Sequence, residues 1–183
     1  KHASFLDIVA VHTAEITRRL QFDDPDVSSR MATASSSGRA SSYAVFAAGC
    51  FWGVEHAFQQ VPGVIDATSG YQQGKTDNPT YKEVCYKDTG HAEVVKVTFD
   101  KNKISYEELL EAFFKMHDPT QLNRQGPDVG SQYRSGIYTV NDEQAKQARA
   151  FIEKLNAEKA YPDPIVTEVE PAEKFYAAED YHQ

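Results

Sequence analysis

From Tyr43 to Ala48 the chain reads Tyr-Ala-Val-Phe-Ala-Ala, a run short and apolar enough to predict a strand buried on both faces. Past Gly53, Val54, Phe58 and Val61 recur at helical spacing. The chain therefore changes from strand to helix at the corner that holds Cys50. "PGVIDATSGYQ" reads as a strand leaving a Pro-Gly turn, and "GKTDNPTYKEVC" as a polar loop ending in a helical turn. "HAEVVKVTFD" alternates as a strand, with Val95, Val97 and Phe99 on one face and Lys96 and Thr98 turned outward. Glu93 falls on the valine face. A carboxylate on the core side of a strand is costly unless it is partnered or protonated.

"SYEELLEAFFKMHDPT" predicts a helix that opens with a Ser105–Glu108 capping box and ends by Asp118, before Pro119. Tyr106, Leu109, Leu110, Phe113 and Phe114 form its apolar stripe. "QLNRQGPDVGSQYRSG" is a glycine-rich loop of a length that usually has a function. "GIYTV" follows as a strand, "NDEQAKQARAFIEKLNAEKA" as a helix and "PIVTEVEP" as a last strand, while "FYAAEDYHQ" reads as the start of a final helical segment. The order β-α-β-β-α-β-α-β predicts an α+β fold, a single domain with a mixed sheet and helices packed on it.

Composition narrows the partners. With 27 acidic against 19 basic residues the formal charge is −8, which argues against nucleic acid or an anionic membrane surface. No apolar run approaches the roughly 20 residues that span a bilayer. Two cysteines without a CxxC form neither a disulfide framework nor a zinc module, so a reducing compartment is the simpler expectation. That points to the cytoplasm; a monomeric chain with no metal or resident cofactor is also expected. Residues 31–42, "MATASSSGRASS", read as a polar linker, and residues 1–42 together as a non-catalytic N-terminal extension. Its acids (Asp7, Glu15, Asp23, Asp24, Asp26) suit a transit peptide poorly, although organellar targeting stays open.

Cys50 at a helix N-terminus is the first candidate for chemistry. The N–H groups of a first helical turn favour negative charge, so the position predicts a lowered thiol pKa. A free cysteine is more often an inert packing residue, and position alone leaves its role open. The surrounding motifs resolve it. "GCFWG", "NPTY", "GHAEVV" and "GSQYRS", in this order, resemble the peptide methionine sulfoxide reductase A family from about Tyr43 to the last residue.

That resemblance implies a two-layer sandwich with ferredoxin-like elements over residues 43–183. It implies reduction of methionine-S-sulfoxide, free or in proteins, back to methionine. Cys50 is then the nucleophile and Glu93 the acid that protonates the oxygen. Tyr81 and Tyr133 are the phenols that hydrogen-bond that oxygen, Phe51 and Trp52 the wall for the S-methyl group, and Asp128 a support on the polar side. His91 has no role in the family motif and reads as structural. The Cys50 sulfenic acid so formed needs an external thiol, thioredoxin or a small dithiol, to regenerate it. Many family members carry a resolving cysteine on a C-terminal tail, which is expected to be missing here; Cys85 reads as structural. Two alternatives stay open: a peroxide-reacting thiol peroxidase or redox sensor, and a module that binds oxidised methionine without turning it over.

Overall fold

The computed structural model describes residues 41–182, so the predicted extension lies outside the described residues except for its last two positions. The buried strand is β1 (Ser41–Ala48), and the helix after the Cys50 corner is α1 (Phe51–Gln59). Then come β2 (Val64–Gln72), α2 (Tyr81–Tyr86), β3 (Ala92–Asp100) and α3 (Tyr106–Lys115). The long loop contains a small hairpin, β4 (Arg124–Gln125) with β5 (Asp128–Val129), and a 3-10 turn over Ser131–Tyr133. The chain continues through β6 (Ser135–Thr139), α4 (Asp142–Ala157), β7 (Glu168–Pro171) and β8 (Tyr176–Ala177).

Six strands form one mixed sheet in the order β7-β6-β1-β3-β2-β8. The β6–β7 pair is parallel and the others are antiparallel. The expected α+β architecture is what forms. Central β1 divides its side chains between two apolar clusters. Ala44, Phe46 and Ala48 join Val95, Val97 and Phe99 beneath the helices, while Val45 and Ala47 join Ala92, Val94 and Tyr138 on the opposite face. Phe46 anchors the larger cluster, stacked at 5.1 Å on both Phe58 and Phe113. A buried phenylalanine of this kind costs roughly 3–5 kcal/mol to truncate to alanine.

The second face is covered by the C-terminal segment, where sequence and structure differ. The expected final helix begins instead as β8, paired antiparallel with β2, and ends in a 3-10 turn over Asp180–His182. Ala172 and Phe175 pack on the second cluster. The segment is held by the Gln72 amide donating to the Glu173 carbonyl at 2.7 Å and by the Ala178 N–H donating to the Ser69 carbonyl at 2.9 Å. Helical periodicity was never strong in "FYAAEDYHQ". An edge strand on β2 satisfies its backbone groups and shields apolar residues in one stroke.

Candidate active site

The corner between β1 and α1 is built by close approach. Gly49 has φ +94°, and a Cβ there would come within 2.8 Å of the Gln125 side chain. Gln125 is locked in place, accepting from the Asp118 N–H at 3.0 Å and donating to the Asp118 carbonyl at 2.9 Å. Glycine thus lets the β4–β5 hairpin press on the corner and bring Asp128 toward Cys50. Cys50 occupies the N-cap of α1 without a side-chain capping bond. The Phe51 N–H donates to Glu93 Oε1 at 3.2 Å, while the Trp52 and Gly53 N–H groups face the Cys50 sulfur without closing such a bond.

Glu93 is only 2 % exposed, and its second oxygen, Oε2, is buried without a hydrogen-bond partner. Burial pushes its carboxyl up to about 7, the Phe51 N–H opposes that rise, and the charge of Asp128 adds to it. Near neutral pH Glu93 is therefore a balance of acid and carboxylate, the condition for a proton donor. Cys50 corrects the expectation from sequence. Its residue is exposed, yet the protein around its sulfur disfavours charge enough to raise the thiol above its ordinary pKa. The N–H groups of Trp52 and Gly53 do pull the other way, as a helix N-terminus should. Burial together with the negative charges of Glu93 and Asp128 outweighs them.

Two phenols complete the cluster. Tyr81 is the first residue of α2, whose start is fixed by a Thr80–Glu83 capping box. Tyr133 sits in the 3-10 turn, with Glu93, Cys85, Asp128 and Cys50 all in its electrostatic surroundings. That turn is pinned by Arg134, which donates to the Ser131 and Gly90 carbonyls at 2.8 and 3.0 Å and pairs with Glu168 at 2.9 Å. Burial raises both phenols, so both are protonated donors at neutral pH. Both lie beside the Cys85 thiol, one helical turn beyond Tyr81, and act to lower its pKa against the burial that raises it. Cys85 thus lies behind the cluster, in contact with it.

The Phe51 ring is buried, 5.7 Å from the Tyr71 ring and 6.5 Å from that of Tyr81. Trp52, beside it at the start of α1, is 55 % exposed. His91 is structural as read: its Nδ1 accepts from the Gly74 N–H at 3.0 Å and its Nε2 donates to the Thr76 carbonyl at 2.8 Å. Among the described residues, no group of three or more His, Cys, Asp or Glu side chains is arranged to hold a metal ion. Sequence reasoning missed Tyr71, Arg134 and Glu179. The motif "AEDYHQ" was a signal for Glu179, but nothing in its pattern said that a glutamate there reaches the site.

Residues 42–183 match the family model described as peptide methionine sulfoxide reductase. The chain belongs to this family. As a peptide methionine sulfoxide reductase it is 60 % identical to MsrA of Acidobacterium capsulatum over 140 residues, covering 76 % of this chain and 90 % of that one. MsrA of Pasteurella multocida is 61 % identical, covering 76 % and 79 %. The reduced form of Mxr1 from Saccharomyces cerevisiae superposes with a TM-score of 0.74 at 38 % identity, covering 80 % of this chain and 84 % of that one. Mxr1 in complex with Trx2 superposes at 0.57 with 26 % identity, covering 82 % and 89 %. This peptide methionine sulfoxide reductase is an oxidoreductase that returns methionine sulfoxide to methionine.

Proposed function

We propose that Cys50 and Glu93 carry the reduction as a coupled pair, with the S epimer as substrate and a small dithiol or thioredoxin-type protein as reductant. The observation that carries this reading is the shared first turn of α1: Cys50 caps it while Glu93 accepts its Phe51 N–H at 3.2 Å. The sulfoxide oxygen takes its proton from Glu93, and the Tyr81 and Tyr133 hydroxyls donate to the negative charge developing on that oxygen. Cys50 loses its proton and attacks the sulfoxide sulfur. The S–O bond breaks, the oxygen and one proton end on the Cys50 sulfur, and the thioether leaves. The cysteine sulfur is oxidised by two electrons and the methionine sulfur reduced by two. A dithiol then returns the sulfenic acid to the thiol, giving a disulfide and water.

Phe51, backed by Tyr71 and rimmed by Trp52, offers the aromatic surface that favours the S-methyl group. Asp128 keeps Glu93 protonated more of the time by adding negative charge beside it. A thiol peroxidase asks for a resting thiolate with lowered pKa. The raised Cys50 thiol speaks against that alternative. The reductant assignment draws on the yeast relative's complex with Trx2. Residues 1–42 are proposed as an extension outside the catalytic unit. The test is an epimer-resolved assay of methionine sulfoxide reduction with dithiothreitol, run beside Cys50→Ser. S-epimer reduction lost in the variant is expected, and activity near wild type in Cys50→Ser overturns the assignment.

A further inference from the structure

We propose that Glu179 is a positioning residue for the reaction: it clamps the C-terminal segment to the site and, through the backbone of Tyr81, aims that phenol at the substrate oxygen. The inference rests on the reading of Tyr81 as a donor to that oxygen. The carboxylate of Glu179 spans two elements. Its Oε1 accepts from the Tyr81 N–H at 2.7 Å, and its Oε2 accepts from the Tyr71 hydroxyl at 2.9 Å. Tyr71 is fully buried, lies directly opposite Glu93 in the β2–β3 register and packs on Phe51. Glu179 therefore ties the phenol-bearing helix to the strand pair that carries the acid.

The capping box explains why α2 needs this partner. Glu83 Oε2 accepts from the Thr80 N–H at 3.0 Å, and Thr80 Oγ1 accepts from the Glu83 N–H at 3.3 Å. That leaves the first-residue donor, Tyr81 N–H, to be met from outside, and α2 has only six residues with which to hold itself in place. The remote end is fixed as well. β8 pairs Gly70 with Ala177 and Tyr71 with Tyr176, and the Ala178 N–H donates to Ser69, so Glu179 leaves a strand already registered on β2. A charge-assisted bond of 2.7 Å from such an anchor is a rigid strut.

The side-chain chemistry gives the clamp a discriminating set of variants. Glutamine can keep both contacts, because its carbonyl accepts from the Tyr81 N–H while the Tyr71 hydroxyl turns to accept from its amide. Alanine keeps neither, and aspartate is one methylene too short to reach both. Each is assayed on the S epimer with saturating dithiothreitol, beside Tyr81→Phe and the double variant Tyr81→Phe/Glu179→Ala. Glu179→Ala is expected to lower kcat by about tenfold to a hundredfold, as misplacement of a catalytic group does. Glu179→Gln should stay within about threefold of wild type and Glu179→Asp should fall between. In the Tyr81→Phe background the alanine change should cost no more than about twofold, since the hydroxyl it aims is already gone.

If Glu179→Ala keeps the wild-type kcat, or if its loss is undiminished in the Tyr81→Phe background, the positioning role is wrong. Should the alanine variant fail to fold, the aspartate and glutamine pair decides: equal losses in both, or none in either, overturn the clamp. A Tyr81→Phe protein with the wild-type rate would instead strike the proposed role of Tyr81, and the clamp with it.

Discussion

Replacing Glu93 with glutamine should make the protein more stable with rising pH relative to wild type while disabling it. A carboxyl that titrates at about 7 in the fold and near 4.5 in the unfolded chain binds more protons folded than unfolded between those values. Wild-type stability is therefore eroded as pH climbs from 4.5 through 7, by about 3 kcal/mol in full. Glutamine keeps an oxygen for the Phe51 N–H but cannot ionise, so its stability lacks this slope. Its buried amide, placed where Oε2 has no partner, costs about 1–3 kcal/mol that does not vary with pH. The quantity to read is the change with pH. Urea unfolding of both proteins at pH 5 and pH 8 should show Glu93→Gln gaining about 2.5 kcal/mol on wild type between the two conditions. In single-turnover assays the variant should lose about a hundredfold or more in methionine release. Its residual rate should rise with pH as Cys50 ionises, with the alkaline decline of wild type absent. A stability difference that is the same at both pH values would refute the reasoning, because Glu93 would then ionise in the fold as it does in water.

Cys50→Ser should abolish reduction, since a serine alkoxide is not available at neutral pH; turnover by that variant, measured as methionine formed, counts against the nucleophile. The S epimer should be consumed and the R epimer left, because only one configuration sets methyl toward Phe51 and oxygen toward the phenols; chiral chromatography of a racemic substrate reads this. Cys85→Ser should keep dithiothreitol-driven rates within about threefold, as serine leaves a small polar group beside the two phenols. An intramolecular disulfide found by mass after one turnover of wild type would give Cys85 a resolving role instead. His117, buried between the Phe113 carbonyl and the Ser135 hydroxyl, is held neutral down to about pH 4 by its loss of solvent. The unfolded imidazole titrates near 6.5, so stability present above that value is lost as pH falls toward 4, by up to about 3 kcal/mol. A His117 imidazole NMR signal that titrates near 6.5 in the folded protein would contradict this.

Elements whose own patterning agrees with their surroundings were legible in the sequence. β1 was readable because its run is apolar at odd and even positions alike, and β3 because Glu93 stood out on a valine face. The capping box of α3 was written in Ser105 and Glu108, and it forms. The last segment was not readable, since "FYAAEDYHQ" becomes a strand only because β2 offers an edge, and pairing across about a hundred residues leaves no local trace. Glu179 and Arg134 escaped for the same reason: the Tyr81 N–H and the Gly90 carbonyl that they bond are backbone groups far away in sequence, which carry no residue-type signal. The direction of the Cys50 shift was misjudged from one local effect, the helix N-terminus, without the burial of the sulfur, which weighs most, and the two carboxylates that tertiary folding brings beside it.

That misjudgement bears on how the pair works. A raised Cys50 thiol and a Glu93 poised near 7 repel each other's charged forms, so the state with both ionised is the one the site disfavours most. Protonating Glu93 removes one of the charges that hold Cys50 as a thiol, so the acid form of Glu93 and the thiolate of Cys50 favour one another. The proposed reaction needs that same combination, a proton to give at oxygen and a lone pair to give at sulfur. A sulfoxide whose oxygen accepts from Glu93 selects the protonated acid and thereby lowers the cost of the thiolate at the moment of attack. An oxidant that offers no such acceptor meets a quiet thiol, so the burial that makes Cys50 a poorer free nucleophile also makes its reactivity conditional on substrate.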